Sequence, residues 1–296
     1  MAAAIEKPAP EIPHSVEPNF RQFTGKIVDP LCREGLLLAE VEHKVAKSIA
    51  AHTHDSAYFA LVLQGEIEES LRGKYVQYSP FTVAFNPLGT RHDGRVGDKG
   101  VRLFTVQIGE RWFKSFREYA RFEETIPEFH AGKLVWLAAR LFREYREGRA
   151  ASDLAVESIT WEMLALAAHC GEPQEKHAPL WLTRIIDRLH SQFHQPLTMT
   201  DLAAEAGVHP VHVARVFRQF HGCNAGEYVQ RLRIQLACGQ LTRDDLPLSE
   251  IALTCGFADQ SHMTRIFKRI TGSTPSAFRE LLMQASHPRS KMSILS

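Results

Sequence analysis

The last third of the chain contains one structural unit twice, and no other feature constrains the fold as tightly. Leu202 to Tyr228 (LAAEAGVHPVHVARVFRQFHGCNAGEY) and Ile251 to Phe278 (IALTCGFADQSHMTRIFKRITGSTPSAF) superimpose once the second is given one extra residue in its turn. Ala203 then matches Ala252, Gly207 matches Gly256, Arg215 matches Arg265, Phe217 matches Phe267 and Gly222 matches Gly272. In each copy a short helix (Leu202, Ala203, Ala206; Ile251, Ala252, Cys255) stops at a glycine free to take positive φ. A second helix follows, expected to bury Val213, Val216, Phe217 and Phe220 in one copy and Met263, Ile266, Phe267 and Ile270 in the other. Both sets fall at i, i+3, i+4, i+7, the spacing of one helical face.

That spacing fixes the opposite faces. They carry Val211, His212, Ala214, Arg215, Arg218 and Gln219 in the first copy, and Gln260, Ser261, His262, Thr264, Arg265, Lys268 and Arg269 in the second. A basic outward face is usually solvated charge and nothing more. Here an arginine recurs at the same phase in both copies, two residues before the buried phenylalanine, and Arg and Gln carry the paired groups that match guanine and adenine edges in the major groove. The pattern predicts a tandem helix-turn-helix reader of double-stranded DNA. Asn224 to Leu241 reads as a single connecting helix of about 27 Å. Such a strut would let two recognition helices enter successive major grooves about 34 Å apart. A helix bearing Leu182, Ile185, Ile186, Leu189 and Phe193 completes the core.

These residues resemble the AraC/XylS family of bacterial regulators over roughly Trp181 to Leu281, most specifically in LSEIALTCGFADQSHMTRIFKRITGSTPSAFR. The resemblance implies base contacts from Val211, Ala214 and Arg215 in the first recognition helix and from Gln260, Ser261 and Arg265 in the second. His212, Arg218, His262 and Lys268 join the expected DNA-facing set. Val211 and Ala214 depart toward small apolar side chains, which confines the first helix to Arg215 and thymine methyl contact. The implied partners are a DNA operator, a small-molecule effector, a second copy of the chain and RNA polymerase.

Charge supports a divided chain. The 296 residues sum to +1, yet from Trp181 onward 13 Lys plus Arg face 9 Asp plus Glu, so the positive charge collects in the second half. Neutralised phosphates dominate affinity for nucleic acid, so this sign is the expected one. The five cysteines (Cys32, Cys170, Cys223, Cys238, Cys255) are scattered and form no Cys-x-x-Cys pair, as in a reducing compartment without structural zinc. No stretch has the roughly 20 apolar residues of a membrane span and no signal peptide is read, so a cytoplasmic protein is expected. The organisation expected is a flexible N-terminus (1–18), a sensor and dimerisation domain (19–170), a linker (171–180), a DNA-binding domain (181–284) and a flexible C-terminus (285–296).

From about Phe23 to Ile108, short apolar runs such as AYFALVLQG and VRLFTVQIG alternate with Gly and Pro, as in an antiparallel barrel or sandwich. The fold class expected is therefore an all-β barrel followed by helices, then an all-α domain. Leu134, Leu137, Leu141 and Tyr145 mark one of those helices and Val156, Ile159, Met163, Leu164 and Ala167 another; their faces serve dimerisation or packing on the barrel. Along the central strand Tyr58, Ala60, Val62 and Gln64 share one side and Phe59, Leu61 and Leu63 the other, and alternation does not say which faces inward. Arg91, Arg95 and Arg102 are either partners for an acidic ligand or surface charges.

Ala51-His52-Thr53-His54 puts two imidazoles on one side of a strand, and Pro87-Leu88-Gly89-Thr90-Arg91-His92 adds a third. These segments look like the two cupin motifs, except that Tyr58 or Phe59 stands where a carboxylate ligand would be. His52, His54, Tyr58 and His92 are the expected ligand-binding set. Three histidines could hold a divalent metal with one open position, could be hydrogen-bonded structurally, or could donate to an acidic ligand. Regulators of this family mostly sense small molecules without metal, so no cofactor is expected from the resemblance. The alternative reading is a metal-dependent cupin enzyme fused to a DNA-binding domain, using His52, His54 and His92. A scaffold without ligand is a third.

Overall fold

The computed structural model describes residues 23–33, 35–71, 74–117, 129–130, 133–147, 152–169, 178–243 and 245–284. The expected flexible ends, most of the 171–180 linker and Cys170 lie outside these residues.

Eight strands form one antiparallel sheet among the described residues: β1 (Lys26–Arg33), β2 (Leu36–His43), β3 (Lys47–His52), β4 (Ala57–Leu71), β5 (Lys74–Tyr78), β6 (Thr82–Asn86), β7 (His92–Ile108) and β8 (Phe129–His130). The order is β1-β2-β7-β4-β6-β8, with β3 paired to β7 and β5 to β4. Each of the long strands β4 and β7 thus carries a different neighbour at each end, which curls the sheet. One face buries Val41, Tyr58, Ala60, Val62, Ile67, Tyr78, Val96 and Val101 together, and no described helix contributes to that cluster. Only a sheet folded over on itself can bury such a face, so this is a barrel-like interior.

The inward side of β4 is therefore the Tyr58, Ala60, Val62 side, while Phe59, Leu61 and Leu63 join a second cluster beneath the helices. Gln64 does not continue the inward series. Register shifts between Val62 and Gln64 and between Gly65 and Ile67 break the alternation, and Gln64 is exposed. Gly65 sits there at φ 75°, and a Cβ on it would overlap the carbonyl of Gly100 on β7. The bulge turns the strand and brings Ile67 and Glu69 inward.

Helix α1 (Glu110–Arg117) precedes β8, α2 (Lys133–Glu147) and α3 (Ser152–His169) follow it, and α2 packs on both the sheet and α3 with Leu134, Leu137, Leu141 and Tyr145 buried. The last part is helical: α4 (Leu180–Gln192), α5 (Met199–Ala206), α6 (Pro210–His221), α7 (Ala225–Gln240), α8 (Leu248–Thr254), α9 (Gln260–Thr271) and α10 (Pro275–Gln284). Their ends are written in the sequence. Thr198 with Asp201 and Asn224 with Glu227 form capping boxes for α5 and α7, and Asp259 caps α9. Asn224 is thus the cap of the connecting helix and not its first turn.

Two cores serve these helices. The first repeat has its own, in which Leu182, Ile185, Leu202, Val213, Phe217, Tyr228 and Leu232 are buried. The second repeat shares one continuous cluster with the outer face of the sheet and with α2 and α3. Phe81, at the β5–β6 turn with φ 62°, is the residue around which this junction closes. Its ring lies 5.4 Å from that of Phe278, and its carbonyl accepts from the side chain of Gln235 at 3.0 Å. Arg143 of α2 donates to the carbonyl of Thr271 at the end of α9. A left-handed backbone at a bulky residue costs on the order of 1–3 kcal/mol, and full burial of the Phe81 side chain offsets it.

Candidate nucleic-acid interface and sensor site

The two repeats build equivalent surfaces. α6 and α9 are each 12 residues long and each ends on a glycine in the left-handed region, Gly222 and Gly272. The first helix of each pair stops at Gly207 (φ 65°) and Gly256 (φ 81°), and the turn before α9 has the extra residue the alignment requires. Val213, Val216 and Phe217 of α6 and Met263, Ile266 and Phe267 of α9 are buried. Phe220 and Ile270 are only half-buried, at the open end of each face.

The opposite faces point to solvent. Val211, Arg215, Arg218, Gln260, Ser261, Arg265 and Lys268 are exposed, and His212, Ala214 and His262 are half-exposed. Val211, at 69% exposure, is one of the most exposed large apolar side chains described, a position that solvation alone does not favour. His212 is held on two sides, with its ring 5.8 Å from Trp181 and its Nδ1 3.3 Å from a guanidinium nitrogen of Arg215. Arg269 instead reaches back to the side chain of Gln230 on α7. It braces α9 against α7. The exposed basic residues with small neighbours at the N-terminal half of each helix suit a major groove, where Arg reads guanine and apolar groups meet thymine methyls.

The sensor candidates converge at one end of the sheet. His52 on β3 pairs directly with His92 on β7, and His54 follows at the strand end. Their ring centroids lie 4.4 to 5.2 Å apart, and one ring nitrogen from each falls within 4.8 Å of the other two. His52 Nδ1 lies 2.9 Å from the Ala50 carbonyl and His92 Nδ1 3.3 Å from the Thr90 carbonyl, so both carry their proton on Nδ1 and turn Nε2 inward. Burial pushes the His54 imidazole down to about 3 and that of His92 to about 4, each helped by a neighbouring histidine. Both are neutral at physiological pH.

Tyr58, the fourth candidate, connects this cluster to polar groups that alternation did not reveal. Its hydroxyl lies 3.3 Å from His92 Nε2 and accepts from Asn86 Nδ2 at 2.8 Å, and Asn86 in turn bonds Glu69. Burial pushes the Glu69 carboxyl up to about 7, and its Oε2 has no hydrogen-bond partner. Asn86 could have been found from the pairing of β4 with β6, which sets it opposite Tyr58. Glu69 could not, because the Gly65 bulge reverses the parity of β4 before it.

Of the three arginines considered as acid partners, Arg91 and Arg95 are exposed. Arg102 is a correction to both readings, since it is neither a surface charge nor turned to the interior. It is buried on the helix side of β7, with Nε 3.6 Å from Glu40 and a guanidinium nitrogen 2.7 Å from the carbonyl of Leu282.

A curled sensor-type sheet joined to two helix-turn-helix units defines a DNA-binding regulator with a ligand-binding class of N-terminal domain. A model described as an AraC-like ligand binding domain matches residues 38–164, and one described as a helix-turn-helix domain matches residues 202–281. The chain is 37% identical over 89 residues to the probable transcription factor PqrA of Proteus vulgaris, covering 30% of this chain and 73% of that protein. It is 30% identical over 98 residues to the regulatory protein SoxS of Salmonella typhimurium, covering 33% of this chain and 92% of SoxS. Crystalline ToxT from Vibrio cholerae aligns over 83% of this chain and 98% of its own, at 11% identity and a TM-score of 0.37. The chain belongs to the AraC/XylS family of transcription regulators. No described helix is long and apolar enough to cross a membrane.

Proposed function

We propose that this regulator binds its operator as a homodimer in the cytoplasm, and that a small molecule held at His52, His54, Tyr58 and His92 sets how it binds. The observation that carries the reading is the continuous core running from the sheet through α2 into the second helix-turn-helix unit. A change in the curl of β4 or β7 is felt by Phe81 and Arg102, and through them by α7 and α10. A coupling of about 1–3 kcal/mol between effector and DNA is typical of such a linkage.

The test is selection of DNA from a random pool by the full chain, with and without cell extract as a source of effector. Enrichment of one sequence motif, altered in strength or spacing by the extract, supports the proposal. Recovery of unrelated sequences under both conditions overturns it. Arg215→Ala and Arg265→Ala are the matching variants, and an unchanged selected motif in both would remove the assignment of α6 and α9 as readers.

A further inference from the structure

Tyr58 stands where a carboxylate ligand would complete a cupin-type set, and the family resemblance implies a metal-free sensor. The geometry nonetheless points to a metal site: we propose that His52, His54 and His92 hold one divalent transition-metal ion through three imidazole nitrogens, with Glu69 as its buried counter-charge.

The three nitrogens already lie close to ligand spacing. His52 Nε2 and His54 Nε2 are 3.1 Å apart, and all three atoms fall within 4.8 Å of one another. Two nitrogens on one tetrahedral ion at bond lengths of about 2.0–2.1 Å are separated by about 3.3 Å. Binding therefore draws the ring farthest from the others inward by up to about 1.5 Å.

The surroundings are those of a ligand set rather than of a packed histidine cluster. Backbone carbonyls of Ala50 and Thr90 fix the tautomers of His52 and His92, the outer support that metal-bound imidazoles receive. The carbonyl of His54 accepts from the amide of Gly89, tying the loop that carries His54 to the loop before His92. Three imidazoles leave the charge of the ion uncompensated. Glu69, nine-tenths buried with one oxygen unpartnered, bonds Asn86, which donates to Tyr58; the Tyr58 hydroxyl now against His92 Nε2 turns away when that nitrogen takes the ion. No lysine or arginine is among the groups that act on its carboxyl. A buried acid without a cation keeps its proton, and an ion beyond Asn86 and Tyr58 supplies the positive charge against which it ionises. Three imidazoles without thiolate favour zinc, nickel, cobalt or copper over magnesium or calcium.

The inference concerns the chemistry of the sensor site and holds whether or not the DNA reading does. The probe is Co²⁺ titrated into full-length protein freed of metal by chelator, followed by visible d–d absorption. One equivalent per chain should saturate a band that His52→Ala, His54→Ala and His92→Ala each abolish. His43→Ala, which removes another buried barrel histidine, should leave the band intact. Glu69→Gln should weaken Co²⁺ by about 10–100-fold, the usual effect of an outer partner. His52 is half-exposed, so its variant keeps the fold, as thermal unfolding will verify. Absence of a stoichiometric band in the parent protein, or equal affinity in folded His52→Ala, overturns the site. Unchanged affinity in Glu69→Gln overturns the counter-charge. Normal operator selection by protein that takes up no Co²⁺ would sink this inference alone and leave the regulator reading standing.

Discussion

The guanidinium of Arg102, on the back of the sensor sheet, donates at 2.7 Å to the carbonyl of Leu282 in α10, the last described helix. The same side chain faces Glu40, which is fully buried and also accepts from Arg146 of α2 at 3.1 Å. One buried acid thus gathers two arginines, and one of those arginines ties the sensor to the second helix-turn-helix unit. Burial pushes the Glu40 carboxyl up to about 7 against the pull of Arg102 and Arg146.

Arg102→Met should therefore be costly above that pKa. At pH 8 it leaves the ionised Glu40 with Arg146 alone and strips the Leu282 carbonyl of its donor, for a loss of about 3 kcal/mol in urea unfolding. Adding Glu40→Gln to Arg102→Met should recover part of the loss, because the uncompensated charge is then gone. Additive losses in the double variant would show that the two residues are not coupled.

The two turn glycines are equivalent by sequence and unequal by surroundings. A Cβ on Gly207 meets nothing within 4 Å, whereas one on Gly256 would lie 2.5 Å from the carbonyl oxygen of His194. Gly207→Ala should cost about 1–2 kcal/mol, the price of a left-handed backbone alone. Gly256→Ala should cost clearly more, since the α4–α5 connection must also move. Thermal unfolding of the two single variants decides the order.

DNA contacts should separate by chemistry. Arg265→Ala is expected to lose about 1–3 kcal/mol on the selected operator and to relax preference at one base position. Lys268→Ala should weaken all sequences alike and lower the slope of log affinity against log salt by about 1. Titrations of operator and scrambled duplex at several salt concentrations distinguish the two patterns.

Glu69 predicts a pH signature. Its folded pKa of about 7 lies above the ordinary carboxyl value of 4.5, so the folded state holds a proton that the unfolded state has released. Its contribution is complete below about pH 4.5 and fades as pH rises through about 7. Glu69→Gln removes that proton while keeping the shape, so the stability difference between parent and variant in metal-free protein should change between these limits. The neighbours Tyr58 and Asn86 do not titrate in this window. A difference that is flat across it would mean Glu69 is not buried as described.

The exposed faces of α6 and α9 were legible because a helix repeats its phase without interruption for 12 residues, so a buried Phe217 or Phe267 fixes where Arg215 and Arg265 point. The histidines were legible because the two short motifs carry them. The inward face of β4 was not, because Tyr58 and Phe59 are both aromatic and both faces of this sheet are buried. Glu69 was hidden by the bulge at Gly65, which inverts parity without leaving a pattern in the letters. Arg102 was hidden by distance, since its partner Leu282 lies 180 positions along the chain.

The separate core of the first repeat and the shared core of the second bear on how the chain may be divided. A fragment beginning at residue 178 would take the first reading head away intact but would strip the second of its backing, leaving Phe278 without Phe81 and Leu282 without its arginine. The first head is joined to the rest through α7, whose Tyr228 and Leu232 lie in its core and whose Ile234 and Ala237 lie in the shared one, while the second is in effect an outgrowth of the sensor. Separating the two heads would thus mean breaking α7 or the Arg233 bonds to the Phe193 and Gln195 carbonyls.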